Sequence, residues 1–238
     1  DVRRLSEHIR QQEIVLVAGA GVAMALSSID MPDWNKLMII LYKRVCEFCK
    51  LAPIVMATRT EDDRDNLLEE IKRIITNYST VNNVKLSYVQ FLAKNFGRYH
   101  CDPTKANIKL WELALKMLKV PITTTNYDLI IEEVLDMFPI NTMKLQAEYK
   151  DVKHYIFHFH GVWYEDDGFV LAGKDEYAAT SATFKAHFDK FSEGKQVSKS
   201  ILFVGCGEGC FDFHFKPFLL RSKVEHYVLV TSKLENYK

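Results

Sequence analysis

Three polar side chains in this sequence are of types that can move a proton and orient a small polar ligand. Asn126 and Asp128 follow the apolar run 120–124 directly. His160 follows the run 155–158 and precedes a glycine. An amide donates and accepts hydrogen bonds, a carboxylate accepts them, and an imidazole can take up a proton near neutral pH. Two simpler interpretations stay open, namely a helix-capping role for Asn126 or Asp128 and a core position for His160.

Two glycine-rich turns accompany these side chains. Gly19-Ala20-Gly21-Val22 follows the apolar run 14–18, and a second turn at 205–209 follows the run 201–204. Glycine permits a tight turn and a close approach of a ligand, and backbone N–H groups at a helix start attract phosphate. Met24 stands where the third glycine of a full dinucleotide fingerprint would be, so an ordinary strand-to-helix turn is the alternative.

The elements that must position these residues alternate between strand and helix. Short apolar runs predict strands at 14–18, 120–124, 155–158, 169–171, 201–204 and 227–230. Helical patterns between them predict helices at 129–137, 182–191 and 211–221. This alternation predicts an α/β fold, a Rossmann-like parallel sheet with helices on both faces. Ligands of such sheets bind beyond the carboxyl ends of the strands, where the polar residues and glycine turns are expected.

A long helical insertion is predicted between the first two strands. Asp33 is a good N-cap for a helix from 34 to about 50, and helical spacing continues to residue 118. We therefore expect a single domain over 1–238 with an insertion at about 35–118. The last predicted strand lies close to Lys238. We therefore expect this sequence to be part of a longer protein in which a further domain follows.

Composition argues against several classes of function. The 31 basic and 31 acidic residues balance without a basic tract, so neither nucleic acid nor a membrane is an expected partner. Cys46 and Cys49 resemble half of a zinc site, but their helical spacing favours buried thiols, and no metal is expected. Five cysteines without a recognisable signal peptide predict a reducing compartment, the cytoplasm.

The order of these motifs resembles a known family. Gly-Ala-Gly-Val, Thr-Thr-Asn-Tyr-Asp, His-Gly and Phe-Val-Gly occur in the order found in the SIR2-like domain of bacterial antiviral NAD hydrolases and their animal relatives. The resemblance to sirtuin deacylases is more distant. The resemblance to the SIR2-like family implies an NAD hydrolase that releases nicotinamide and ADP-ribose. It also implies a role in immune or antiviral defence and activation in a homo-oligomer or filament.

The resemblance also implies roles for particular residues. Asn126 and His160 would be catalytic. Asp33 and Trp34 would lie near the nicotinamide, and Gly205 near the adenosine ribose. The implied NAD-binding residues are Gly19, Ala20, Gly21, Val22, Asp33, Trp34, Thr125, Asp128, Gly205 and Cys206.

Two other functions stay open at this point. A protein deacylase of the sirtuin type is one, although the sequence has no four-cysteine zinc ribbon of the kind that helps form the acyl-peptide cleft. A non-catalytic module that binds NAD or ADP-ribose and assembles is the other, because Ala23 stands where sirtuins usually carry serine.

Overall fold

The computed structural model describes residues 2–54, 61–102, 104, 106–141, 155–164, 200–207, 215, 219–220 and 223–229. Within them, the elements are α1 (Val2–Arg10), β1 (Ile14–Ala18), α2 (Ala20–Leu26), α3 (Trp34–Phe48), α4 (Glu61–Asn82), α5 (Tyr88–Phe96), α6 (Ala106–Leu118), β2 (Ile122–Thr124), α7 (Ile130–Leu135), β3 (Phe138–Asn141), β4 (Tyr155–His158), β5 (Ser200–Val204) and β6 (Tyr227–Leu229). None of the helices in these ranges is long and apolar enough to cross a bilayer.

The described strands form one six-stranded sheet in the order β3-β4-β2-β1-β5-β6. Every neighbouring pair is parallel. Ala18 at the end of β1 lies opposite Thr124 of β2 and Val204 of β5, and Thr124 lies opposite His158 of β4. The carboxyl ends of four adjacent strands are therefore level, and the predicted Rossmann-like parallel sheet is confirmed.

Both faces of the sheet are buried. All five residues of β1 are buried, and alternate side chains belong to different hydrophobic clusters. Leu16 packs with residues of the helices α2 to α7, whereas Val17 packs with Phe159, Phe203 and Phe215. Burial on both faces explains why β1, and β5 after Ser200, are apolar rather than alternating with polar residues.

The predicted helical insertion lies between β1 and β2, as four helices, α3 to α6, in the described residues. The Asp33 carboxylate accepts a hydrogen bond from the N–H of Lys36 at 2.8 Å and caps α3, as predicted. The buried side chains of α3 and α4 recur at helical spacing and join the cluster under β1. They are Leu37, Met38, Leu41, Tyr42, Val45, Cys46, Leu67, Leu68, Ile71, Ile74 and Ile75.

The structure differs from the sequence prediction at several boundaries. Helix α7 ends at Leu135 rather than 137, because Asp136 adopts a left-handed conformation with φ of 55°. Strand β3 was not predicted, since its second residue is a proline. Proline is tolerated there because β3 lies at the edge of the sheet. The predicted strand 169–171, helix 182–191 and most of helix 211–221 lie outside the described residues.

The helical thiols pack as apolar side chains. Cys46 is buried in the main hydrophobic cluster, and Cys49 packs against that cluster from the end of α3. Burial raises the pKa of both thiols, which disfavours the thiolate that a metal would need. In the described part of the chain, no group of three or more His, Cys, Asp or Glu residues is placed to bind a metal ion.

Candidate active site at the carboxyl edge of the sheet

Four turns meet where β4, β2, β1 and β5 end. The backbone hydrogen bonding of the sheet continues into them: the Gly19 N–H donates to the Val204 carbonyl at 2.9 Å, and the Phe159 N–H donates to the Thr124 carbonyl at 2.8 Å. The structure therefore brings the glycine turns, the Asn126 turn and the His160 turn to one edge, although they are far apart in sequence.

The two glycine turns pack backbone against backbone. A Cβ added at Gly19 would lie 2.5 Å from the Gly205 carbonyl oxygen and 2.7 Å from the Cα of Cys206. A Cβ at Gly21 would lie 2.9 Å from the Cα of Gly205. Gly205 itself has φ of +65°, a conformation that other residues rarely adopt. These glycines are thus required by contact between the two turns, independently of any ligand.

Most backbone N–H groups of the first turn already have partners in the protein. The Gly21 N–H donates to the Gly205 carbonyl at 2.9 Å, and the Val22 N–H donates to the Gly19 carbonyl at 3.0 Å. The Gly19 N–H is also bonded, as described above. Ala20 is exposed, and its N–H donates to no described residue. The turn therefore offers a ligand one N–H group rather than the set of four that the sequence suggested.

Asn126 is held at almost every polar group it has. Its N–H donates to Thr124 Oγ1 at 3.0 Å, and its side-chain Nδ2 donates to the Gly19 carbonyl at 3.2 Å. Its carbonyl lies 2.9 Å from His158 Nδ1. Oδ1 is the remaining polar atom, and it accepts no hydrogen bond from the described residues. The local structure thus fixes Asn126 and keeps one acceptor for a ligand.

The His160 turn packs directly on the Asn126 turn. The Gly161 N–H donates to the His158 carbonyl at 3.2 Å, which closes a tight turn in which Gly161 has φ of 82°. The His160 ring lies 6.0 Å from the ring of Tyr127, and the Trp163 N–H donates to the Tyr127 carbonyl at 3.1 Å. His160 is 5% exposed. Packing on both sides therefore fixes its imidazole beside the residue that follows Asn126.

A buried polar cluster under this edge was not predicted from the sequence. His158 is fully buried, and its Nε2 contacts Glu132 Oε1 on α7. Asp128 lies at the start of the same helix and is 4% exposed. The sequence carries no local signal for this cluster, because Glu132 is an ordinary acidic residue in the first turn of α7 and Asp128 precedes that helix.

Comparison with protein families identifies the second half of the chain. Residues 121–231 match the family model described as SIR2-like domain. The match covers 111 of the 238 residues. The family predicted from the motifs is confirmed for these residues, and SIR2-like domains bind NAD.

The matched range contains β2 to β6 but not β1 or the first glycine turn. Strand β1 is nevertheless the centre of the SIR2-like sheet, because it is hydrogen-bonded to β2 on one side and to β5 on the other. Gly19 and Gly205 then pack across that junction. The SIR2-like sheet of this protein is therefore completed by residues that precede the match.

Other residues assigned to NAD binding by resemblance are placed less centrally. Asp33 is half exposed and contacts Lys36, through its cap and an ion pair at 3.6 Å, with no described contact to Asn126 or His160. The Thr125 N–H donates to the Ala18 carbonyl at 3.3 Å, next to Asn126. Cys206 Sγ lies 3.6 Å from the Val17 carbonyl oxygen. The side chain of Trp34 lies outside the described residues.

Asp128 combines a contact to the start of α7 with an unusual pKa. Its Oδ1 accepts a hydrogen bond from the Ile130 N–H at 3.1 Å, although the N-cap of that helix is Leu129. Burial raises the pKa of its carboxyl to about 6, with a further rise from the charge of Glu132, against the lowering effects of the Ile130 N–H and His158. The SIR2-like domain therefore keeps a carboxylate in a place where ionisation is costly, which is typical of functional sites.

We expect Asp128→Asn to stabilise the protein at neutral pH while lowering its activity. The folded-state pKa lies above the ordinary value of 3.8, so the cost of ionising Asp128 is absent near pH 4 and complete above pH 6. This rise in pKa corresponds to a cost of about 3 kcal/mol in the free energy of unfolding, and the neutral amide introduced by Asp128→Asn would remove about 1–3 kcal/mol of that cost. Thermal unfolding of both proteins at pH 4 and pH 7.5 measures the difference in stability.

The exposed residue Asp30 provides the control for this experiment. Because its side chain is exposed, Asp30→Asn should change stability only slightly. An Asp128→Asn variant that is no more stable than the unsubstituted protein at pH 7.5 would contradict the interpretation of Asp128 as a strained, ionised carboxylate.

Proposed function

We propose that this SIR2-like domain hydrolyses NAD to nicotinamide and ADP-ribose. The observation that carries the proposal is the state of Asn126. Its N–H, carbonyl and Nδ2 are bonded within the protein, while Oδ1 accepts nothing from the described residues. An acceptor fixed in this way beside a packed histidine suits a reaction that depends on the placement of a water molecule.

The bond to be broken explains why few groups suffice. Nicotinamide leaves a pyridinium cation as a neutral base, so its departure needs no general acid. The ribose carbon becomes positively charged in the transition state and must meet a water molecule on one face. Catalysis then consists of orientation, stabilisation of the developing charge and removal of a proton from water.

The residues at the sheet edge divide these tasks. Asn126 Oδ1 would accept a hydrogen bond from the attacking water or a ribose hydroxyl. His160 would take the proton from that water or hydroxyl. Asp128, ionised above pH 6, would accept a hydrogen bond from the carboxamide of nicotinamide. The exposed N–H of Ala20 would donate to the pyrophosphate, beside the Gly19 and Gly205 turns.

Nicotinamide release in the absence of any acylated peptide is the expected result. The purified protein is incubated with NAD alone, then with NAD and an acetylated peptide, and nicotinamide is measured by chromatography. The assay is repeated over a range of protein concentrations. We also propose that the domain acts as a homo-oligomer, as the family resemblance implies, so specific activity should rise with protein concentration.

Each alternative function has its own signature in this assay. Release that requires the acetylated peptide and yields a deacetylated product would indicate a protein deacylase instead. Tight NAD binding by calorimetry with no nicotinamide at any protein concentration would indicate a binding module. Either result would contradict the proposed hydrolysis.

A further inference from the structure

We propose that Glu132 is a positioning residue of this site, which acts through His158 to hold Asn126 in its working geometry. The inference rests on the proposed function for its kinetic test and adds two residues that the motif comparison does not assign. Neither Glu132 nor His158 is proposed to touch NAD.

The contacts form a chain from α7 to the sheet edge. Glu132 Oε1 contacts His158 Nε2, and His158 Nδ1 lies 2.9 Å from the Asn126 carbonyl oxygen. The side chains of Glu132 and His158 are 5% and 0% exposed. Water does not reach this pair, so the orientation of the imidazole is set by the protein alone.

The hydrogen bonds define where the protons are. The Asn126 carbonyl can only accept, so His158 Nδ1 must donate to it. The carboxylate of Glu132 also accepts, so Nε2 donates as well, and His158 is an imidazolium in this arrangement. Burial opposes the charge, but Glu132 and the Asn126 carbonyl outweigh it and raise the pKa of His158.

Loss of one proton from His158 would break the chain. A neutral imidazole has one N–H, and its other nitrogen is an acceptor. The deprotonated nitrogen would then face a second acceptor, which is the Asn126 carbonyl if Nδ1 loses the proton and the Glu132 carboxylate if Nε2 loses it. The charged groups that face His158 in the described residues are Glu132 and Asp128, both from α7 or its start. Glu132 is the one that contacts the ring, at Nε2, so it controls whether Nδ1 keeps the proton that it donates to the Asn126 carbonyl.

The second oxygen of Glu132 supports a functional rather than a purely structural role. Glu132 Oε2 is buried and has no hydrogen-bond partner among the described residues. A buried carboxylate with one unsatisfied oxygen has a desolvation cost that its single hydrogen bond does not fully offset, so it contributes little to stability. Its contribution is the directional bond to His158, and through that bond the position of the Asn126 carbonyl.

The adjacent glutamate provides a matched control. Glu133 is the next residue of α7 and contacts other partners: it accepts a hydrogen bond from the Cys101 N–H at 2.9 Å and pairs with His100 Nδ1 at 2.8 Å. Glu133→Gln removes the same charge from the same helix turn without touching His158. It should leave both kcat and its pH profile unchanged.

Three variants are compared in the nicotinamide assay. For Glu132→Ala we expect kcat to fall about 10–100-fold, with KM for NAD within about threefold, as for other residues that orient a catalytic group. In the unsubstituted protein, kcat should decline at alkaline pH as His158 loses its proton. Glu132→Gln should retain most of kcat and lose this decline, because the amide donates to a neutral Nε2 and leaves Nδ1–H on Asn126.

Two results would overturn the inference. One is a folded Glu132→Ala protein with unchanged kcat, and the other is a Glu132→Gln protein with the same alkaline decline as the unsubstituted one. If Glu132→Ala does not fold, the pH profile of Glu132→Gln decides alone. A decline that is present in the unsubstituted protein and Glu133→Gln but absent in Glu132→Gln supports the inference.

A structural readout separates this inference from the proposed function. In ¹⁵N-resolved NMR spectra at pH 7, His158 should carry a proton on both ring nitrogens, and on Nδ1 alone in Glu132→Gln. The Asn126 side-chain amide signal should move in Glu132→Ala and not in Glu133→Gln. If the protein releases no nicotinamide, these spectra still test the positioning role, and an unmoved Asn126 signal would contradict it.

Discussion

Replacement of His160 by alanine should lower the rate of nicotinamide release by about 10²–10⁴-fold, the usual effect of removing a general base. The KM for NAD should change little, because the proposed role of the imidazole is to accept a proton rather than to bind the dinucleotide. Steady-state kinetics of nicotinamide release measure both parameters. Asn126→Ala should also lower kcat, by about 10²-fold, because the water or hydroxyl loses its fixed acceptor.

A surface histidine gives the control for this experiment. His100 is exposed and pairs with Glu133, away from Asn126, so His100→Ala should leave kcat unchanged. Folding is checked by thermal unfolding, since His160 packs on the rings of Tyr127 and Phe159. A folded His160→Ala protein that retains its turnover would remove His160 from the mechanism and return it to the role of a core histidine.

Substitution of the paired glycines is expected to have the largest effect on stability. In Gly205→Ala the added Cβ would lie 2.6 Å from the Val22 backbone nitrogen, and φ of +65° would be strained as well. Overpacking and a left-handed conformation together cost about 3 kcal/mol or more. For a chain of this size, that lowers Tm by about 6–12 °C. Gly19→Ala should be similarly destabilising, because its Cβ would meet the Gly205 carbonyl at 2.5 Å.

Gly207 is the matched control for Gly205. It lies two residues further along the same turn, and a Cβ added there would meet nothing within 4 Å. Gly207→Ala should therefore unfold within about 2 °C of the unsubstituted protein, as surface substitutions usually do. Equal Tm values for Gly205→Ala and Gly207→Ala would show that the two turns do not pack as described.

Much of the sheet could be predicted because its signals are local. The buried strands β1 and β4 have the predicted bounds, and Asp33 caps α3 as its position before an apolar helix indicates. Strand β3 escaped prediction because Pro139 argues against a strand unless its edge position is known. Edge position is a property of the assembled sheet and has no local signal.

The sequence predicted that the candidate residues lie at one edge of the sheet, but it did not predict their contacts there. The level ends of parallel strands explain why Gly19, Asn126 and His160 meet, and strand order alone gives that result. The sequence suggested that Gly19 and Gly21 approach a ligand, whereas the structure packs them on Gly205. That contact depends on β5 lying next to β1, which the motif order does not specify.

The buried pair under Asn126 was missed for a related reason. Glu132 and His158 are separated by 26 residues and meet because α7 packs beneath the end of β4. In the sequence, Glu132 is an ordinary acidic residue in the first turn of a helix, where it also favours the helix dipole. Only the packing of α7 against the sheet distinguishes it from Glu133.

A time course of purified protein with NAD alone tests the central claim most directly, with nicotinamide and ADP-ribose both quantified by chromatography. Hydrolysis predicts that the two products appear in equal amounts and continue to accumulate beyond one equivalent per protein chain. NAD that is bound but recovered intact, at protein concentrations that allow self-association, would contradict the account.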